Sequence, residues 1–195
     1  MDERVRQEDA ETVQRVRAGD SEAYAALVRR YHTRVYQLCY GMLGASDKAD
    51  DAAQDVFVKA FSRLSQFRGD AAFSTWLYRM TSNHCLDLLR ARTRHKTDSW
   101  DQLLETQGER IEALLQAPTP PEGPSDELKE TVNTLLAELK PEYRTVLTLR
   151  EMQGLTYEEI ARVLDTSLDS VKARLKRARQ QLGEKLRHVL GPTLV

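Results

Sequence analysis

The sequence predicts an all-α chain: two small helical domains joined by an acidic, proline-rich linker, the C-terminal one a helix-turn-helix. Three observations carry this. Apolar residues recur at helical spacing almost throughout, with little period-two alternation and few β-branched residues. Four of the six prolines fall between Pro118 and Pro124, where no helix can pass. Charge is segregated. From Thr97 to Glu138 ten acids face two bases, whereas from Arg162 to Arg187 eight bases face three acids, although the whole chain is only −1. The 195 residues suffice for two modest cores, and 41% hydrophobic with 30% charged residues excludes a disordered chain. No apolar run approaches the roughly 20 residues of a membrane span, so no membrane insertion is expected. The charged stretch from Met1 to Glu11 does not read as a signal peptide, and Cys39 and Cys85, in apolar helical contexts, fit a reducing cytoplasm.

The elements follow in order. A short first helix is expected from Asp9 to Ala18, stopped by Gly19. Ser21 is the expected cap of a long second helix with Tyr24, Leu27, Val28, Tyr31, Val35 and Leu38 on one stripe, ended by Gly44. Ser46 or Asp47 opens a third, with Ala53, Val56, Phe57, Ala60, Phe61 and Leu64 facing inward. After a turn at Phe67-Arg68-Gly69-Asp70, a fourth runs from about Ser74 to Arg94 and turns basic at its end, where the helix dipole favours cations. Residues 1–96 form the first expected domain, 97–125 the linker, with a short helical piece near 109–115, and 126–195 the second domain. There a helix over Asp126–Leu139 precedes one begun by Pro141 and ended by Gly154. Thr156 and Glu159 have capping-box spacing before a short helix. Asp165-Thr166-Ser167 breaks it from a last helix beginning at Leu168.

Chemistry concentrates in three places. In the last helix Val171, Leu175, Ala178 and Leu182 fall within about 60° of one another at 100° per residue, a buried stripe. The other side carries Asp169, Ala173, Lys176, Arg177 and Gln180, flanked by Lys172, Arg174 and Arg179. A small residue amid Lys and Arg suits close entry into a major groove. On the third helix Asp51, Gln54 and Asp55 form one polar patch, extended by Asp47: a solvated face, or a dock for a basic partner. The segment Phe67-Arg68-Gly69-Asp70 to Phe73-Ser74-Thr75-Trp76-Leu77-Tyr78-Arg79 places aromatics beside Arg and Gly, either to hold an unstacked base or to fill a small core. Asn83 lies on nearly the same face as Trp76. No catalytic residue, cofactor site or metal site is expected. The four histidines have no ligand spacing, no Gly-rich phosphate loop occurs, and His84, Cys85 and Cys39 read as buried helical residues.

Asp51-Ala52-Ala53-Gln54-Asp55-Val56-Phe57, the Phe67–Arg79 segment, Asn83 and the terminal helix-turn-helix together resemble bacterial RNA polymerase sigma factors, specifically the extracytoplasmic-function class with only regions 2 and 4. The resemblance covers nearly all the chain but the linker. It implies that Asp51, Gln54 and Asp55 dock on the clamp helices of core RNA polymerase. It implies that Arg68, Phe73, Trp76, Arg79 and Asn83 serve the minus-ten element, capturing a base of the single-stranded non-template strand. Lys172, Ala173, Arg174, Lys176, Arg177 and Arg179 would then serve duplex promoter DNA at the minus-thirty-five element. Many relatives carry Arg and Ser where this chain has Lys172 and Ala173; Lys is a point charge and not a fork, so their promoter sequence does not transfer. An anti-sigma factor, cytoplasmic location and a role in stress response are likewise implied by the resemblance.

On this reading the chain performs no covalent chemistry and lends specificity to an enzyme. Two DNA elements two turns apart lie roughly 70 Å from each other. A linker of 29 residues has a root-mean-square span of about 30 Å and stretches to about 95 Å. A compact free protein extended by polymerase is therefore expected, its acidic linker lying along a basic channel or shielding the basic helix. Two other classes remain open on the residues: a dimeric helix-turn-helix regulator acting without polymerase, and a nuclease using Asp47, Asp50, Asp51 and Asp55.

Overall fold

In the computed structural model, residues 3–94 and 134–190 are described, with side chains through 92 and 187. The expected linker, the helical piece near 109–115 and most of the helix expected over Asp126–Leu139 lie outside the described residues. Among those described there is no strand, and the all-α expectation holds.

The N-terminal lobe packs four helices: α1 (Glu3–Arg17), α2 (Tyr24–Leu43), α3 (Ser46–Ser62) and α4 (Phe73–Arg94). The first helix begins six residues earlier than expected. Its Asp9 is buried, accepting from Arg30 Nη1 at 2.6 Å and from the Tyr31 hydroxyl, so a charge that reads as surface anchors α1 to α2. The cap also differs. Asp20, not Ser21, accepts from the Ala23 amide, opening a 3₁₀ turn over Ser21–Ala23 that feeds α2. Gly44 ends α2 at φ 74°, a left-handed conformation that costs glycine little. Ala49, Ala52, Ala53 and Ala60 let α3 approach α2 and α4 closely around Tyr31, Leu38, Met42, Phe73 and Leu77. Phe61 is not in this core. It is 45% exposed, edge-on to Tyr24 with centroids 5.0 Å apart, because it lies about 100° round from the buried Ala60, at the edge of the stripe.

In the C-terminal lobe, 134–137 is helical and Pro141 opens α5 (Pro141–Leu147). The helix then widens into a π segment over Thr148–Met152, where an ordinary helix to Gly154 was expected. The capping box of α6 (Tyr157–Leu164) is complete: Thr156 Oγ1 accepts from the Glu159 amide, and Glu159 accepts from that of Thr156. Asp165 turns the chain at φ 51°, and α7 (Leu168–Leu190) follows. Val171, Leu175 and Ala178 are buried against Val146, Leu149, Ile160 and Val163, so the predicted stripe is the core of a helix-turn-helix.

The lobes pack on each other, α5 and its π segment against α2, and α6 against α4.

Candidate polymerase and nucleic-acid interfaces

The outer face of α3 exposes Asp51, Gln54 and Asp55, with Asp47 and Asp50 nearby. The patch exists because the alanines opposite are buried, which turns every third or fourth residue outward. It continues into apolar surface that the sequence reading missed: Val58 is 66% exposed, and Phe61 lies one turn on. His84 on α4 supports this face. Lys59 Nζ donates to His84 Nδ1 at 2.8 Å, which leaves the proton of a neutral ring on Nε2. Asp55 Oδ2 stands 3.2 Å from that nitrogen, out of line for a hydrogen bond. Burial, then the Lys59 charge, lower the His84 pKa.

The loop between α3 and α4 is held from a distance. Arg17 donates to the carbonyls of Leu64, Ser65 and Phe67, fixing the 3₁₀ turn Leu64–Gln66 that launches it. Gly69 takes φ 82°. Arg68 is exposed at the tip. Phe73 is only 2% exposed. It packs on Tyr31, Phe67 and Trp76 with centroids 5.6, 5.8 and 5.7 Å away, so in this conformation its ring is closed to a nucleobase. Trp76 is half-buried on the same cluster and Asn83 is exposed. Arg79 points at the other lobe. Its Nε donates to Val163 O at 3.3 Å and its Nη2 to Arg162 O, with Asp165 Oδ1 at 3.5 Å. A cleft of about 520 Å³ between the lobes is lined by Arg68, Trp76, Arg79, Arg162, Asp165 and Thr166 among others.

On α7, Lys172, Ala173, Lys176 and Arg177 are exposed and Arg174 is half-buried. Lys176 and Arg177 make no ion pair among the described residues, whereas Lys172 Nζ lies 3.9 Å from Asp169. Arg179 differs: its Nη2 donates to Glu151 Oε1 at 2.8 Å, and hydrogen bonds to Glu151 and Tyr157 raise its pKa. It ties the recognition helix to the π segment, a role that spacing within one helix does not reveal. Cys39 and Cys85 are both buried. Hydrogen bonding to Cys39 and burial push the Cys85 thiol up, away from the reactive thiolate. Among the described residues no cluster of His, Cys, Asp or Glu suits a metal, and no helix is long and apolar enough to cross a membrane.

The class defined here is a two-lobed helical protein with an exposed acidic face, an aromatic loop and a helix-turn-helix whose second helix is basic. Comparisons with known proteins agree. Residues 27–95 match Sigma-70 region 2 and residues 129–182 match Sigma-70, region 4. The chain is 36% identical over 186 residues to the RNA polymerase sigma-H factor of Pseudomonas aeruginosa, covering 94% of this chain and 96% of that protein. It is 35% identical over 184 residues to the ECF RNA polymerase sigma-E factor of Escherichia coli K12, covering 93% and 96%. Among solved structures, CnrH in complex with the cytosolic domain of CnrY aligns with TM-score 0.66 at 25% identity, covering 94% of this chain and 97% of that one. The sigma factor RpoE bound to the anti-sigma factor NepR, from Bartonella quintana, shares the fold at TM-score 0.61 and 18% identity, covering 87% and 98%. The chain therefore belongs to the bacterial sigma-70 family, in its extracytoplasmic-function class. It is an alternative sigma factor: it binds core RNA polymerase and directs initiation at specific promoters.

Proposed function

We propose how the parts of this chain divide that work. Residues 1–96 dock on polymerase and read the minus-ten element, 97–125 connect, and 126–195 read the minus-thirty-five element. Asp51, Gln54 and Asp55 meet a basic surface of the largest subunit. Arg68, Trp76, Arg79 and Asn83 contact the opened non-template strand, with Phe73 holding Trp76 from beneath. Unpairing costs a few kcal/mol per base, and capture of the freed base offsets part of it. Lys172, Lys176 and Arg177 meet phosphates and base edges, and Ala173 leaves room for the groove. Arg174 flanks them, and Arg179 braces the helix while its charge faces DNA. The observation that carries this reading is the exposed Lys176–Arg177 surface set directly over the buried Val171–Leu175–Ala178 stripe.

The chain contributes no catalytic group of its own and works in the cytoplasm, where its polymerase is. An anti-sigma factor controlling it is implied by its family. The test is reconstituted transcription. Core polymerase plus this chain should start RNA at a defined promoter selected by the holoenzyme, and the chain alone should make none. Initiation without the chain at the same site, or binding to that promoter only as a dimer free of polymerase, would contradict the assignment.

A further inference from the structure

The loop between α3 and α4 has little in its own backbone to hold it. Leu64 and Phe67 before it are buried, as is Phe73 after it. Between these anchors Arg68, Gly69 and Asp70 are exposed, and residues 68–71 make no backbone hydrogen bond among the described residues. Where the loop sits is therefore decided at its two ends. Phe73 starts α4 and is locked in the aromatic cluster. The other end is fixed from outside the loop, by Arg17.

Arg17 is the last residue of α1, and the match to Sigma-70 region 2 begins only at residue 27. Its Nε and Nη2 donate to Leu64 O at 3.2 and 3.0 Å, and Nη2 donates also to Ser65 O at 3.1 Å and to Phe67 O. One planar guanidinium thus gathers the carbonyls at which the 3₁₀ turn ends and the loop begins. Phe67 passes the constraint on. Its ring centroid lies 5.5 Å from that of Trp76, and its own carbonyl leads into Arg68. Behind Arg17, α1 is itself pinned. Val13 is buried, Asp9 accepts from Arg30 Nη1 and the Tyr31 hydroxyl, and Arg15 Nη2 donates to Asp20 Oδ2 at 2.6 Å, beside the Ala23 cap. Tyr31 in turn packs on Phe73. The same helix therefore bears on both ends of the loop, and every one of these contacts lies within the N-terminal lobe.

We propose that Arg17 is a positioning residue for minus-ten recognition: it sets where Arg68 and Trp76 stand, and so which base of the opened strand is accepted. In this role it touches no DNA. Arg17 is exposed, so water can satisfy the Leu64, Ser65 and Phe67 carbonyls once its side chain is removed. The lobe then keeps its fold. What is lost is the fixed place of a loop whose groups must be held to within about 0.5 Å to discriminate.

The proposal rests on the assignment of this loop to the minus-ten element, and the experiment separates the two. Full-length chains are assembled with core polymerase on the promoter the holoenzyme selects, and strand opening is read with each of the four bases at the captured position. Trp76→Ala tests the assignment. If it leaves opening and base preference unchanged, the loop reading falls and this proposal with it. Arg17→Ala should lower the preference for the selected base about tenfold, the worth of one base contact. Its circular dichroism, affinity for core polymerase and protection of the upstream element should stay at wild type. Arg17→Lys keeps a charged donor within reach of the same carbonyls and should recover most of the preference. Arg15→Ala, at the same end of α1, should behave as wild type. With Trp76→Ala impaired, wild-type preference in Arg17→Ala overturns the proposal alone, as does a Lys variant no better than Ala or an equal loss in Arg15→Ala. A loss of helix or of core affinity in step with preference overturns it too, since Arg17 would then hold the lobe and not the loop.

Discussion

Asp51 and Asp55 show how a single side chain is assigned. Both carboxylates are exposed and neither lies in the core, so reversing them should leave the fold intact and test the proposed interface. Replacing both by Lys should abolish binding to core polymerase, read by native gel or surface plasmon resonance, with an unchanged circular dichroism spectrum. Unchanged affinity would contradict the docking role. Lys176→Ala or Arg177→Ala should cost about 1–3 kcal/mol in promoter binding if the residue reads bases. An equal loss on all DNA sequences would make it a phosphate contact. His84 gives a pH prediction. Asp55, Lys59 and Asp87 are its charged neighbours, and its folded pKa lies below the ordinary 6.5. The unfolded chain then binds the proton more tightly. Stability from this site is complete above about pH 6.5 and falls as the pH drops through the lowered folded value. Thermal melts should show that loss in wild type and less of it in His84→Gln; equal slopes would contradict it.

At the level of elements, what sequence makes legible is what local chemistry decides. Thr156 and Glu159 sit three residues apart, and the capping box forms from those two side chains alone. Val171, Leu175 and Ala178 share a face by helical period, and burial follows. Leu175→Ala should therefore destabilise the C-terminal lobe by about 2–5 kcal/mol in urea melts. A loss under 1 kcal/mol would mean that α7 packs by another face. Less legible are features set by residues far apart. Asp20 outcompetes Ser21 as cap because the 3₁₀ turn brings it to Ala23. Phe61 reads as part of the inward stripe yet stands at its edge and is exposed, while Ala60 and Leu64 on either side are buried. Arg17 reaches 47 residues along the chain to the Leu64 carbonyl, and Arg179 reaches 28 residues to Glu151; no spacing within one helix announces either. The π segment, likewise, lies where α5 meets Gly41 of the other lobe. The docking patch, loop and recognition helix were each visible as clusters of residue types. Which members face outward, and that Phe73 supports where Trp76 is half-exposed, required the packed structure.

For the whole molecule, segregated charge and a two-lobed build explain a near-neutral protein that works on DNA. The basic face of α7 supplies local attraction without making the chain bind every nucleic acid, since the net charge is −1. Polymerase supplies the catalyst, and this chain the choice of promoter. The measurement that tests this most directly is footprinting of the reconstituted holoenzyme on its selected promoter. Two protected patches about two helical turns apart are predicted. Lys176→Ala should weaken the upstream patch selectively, Trp76→Ala should weaken strand opening at the downstream one, and the Asp51→Lys/Asp55→Lys chain should protect neither. A single continuous patch unaffected by these changes would contradict the account.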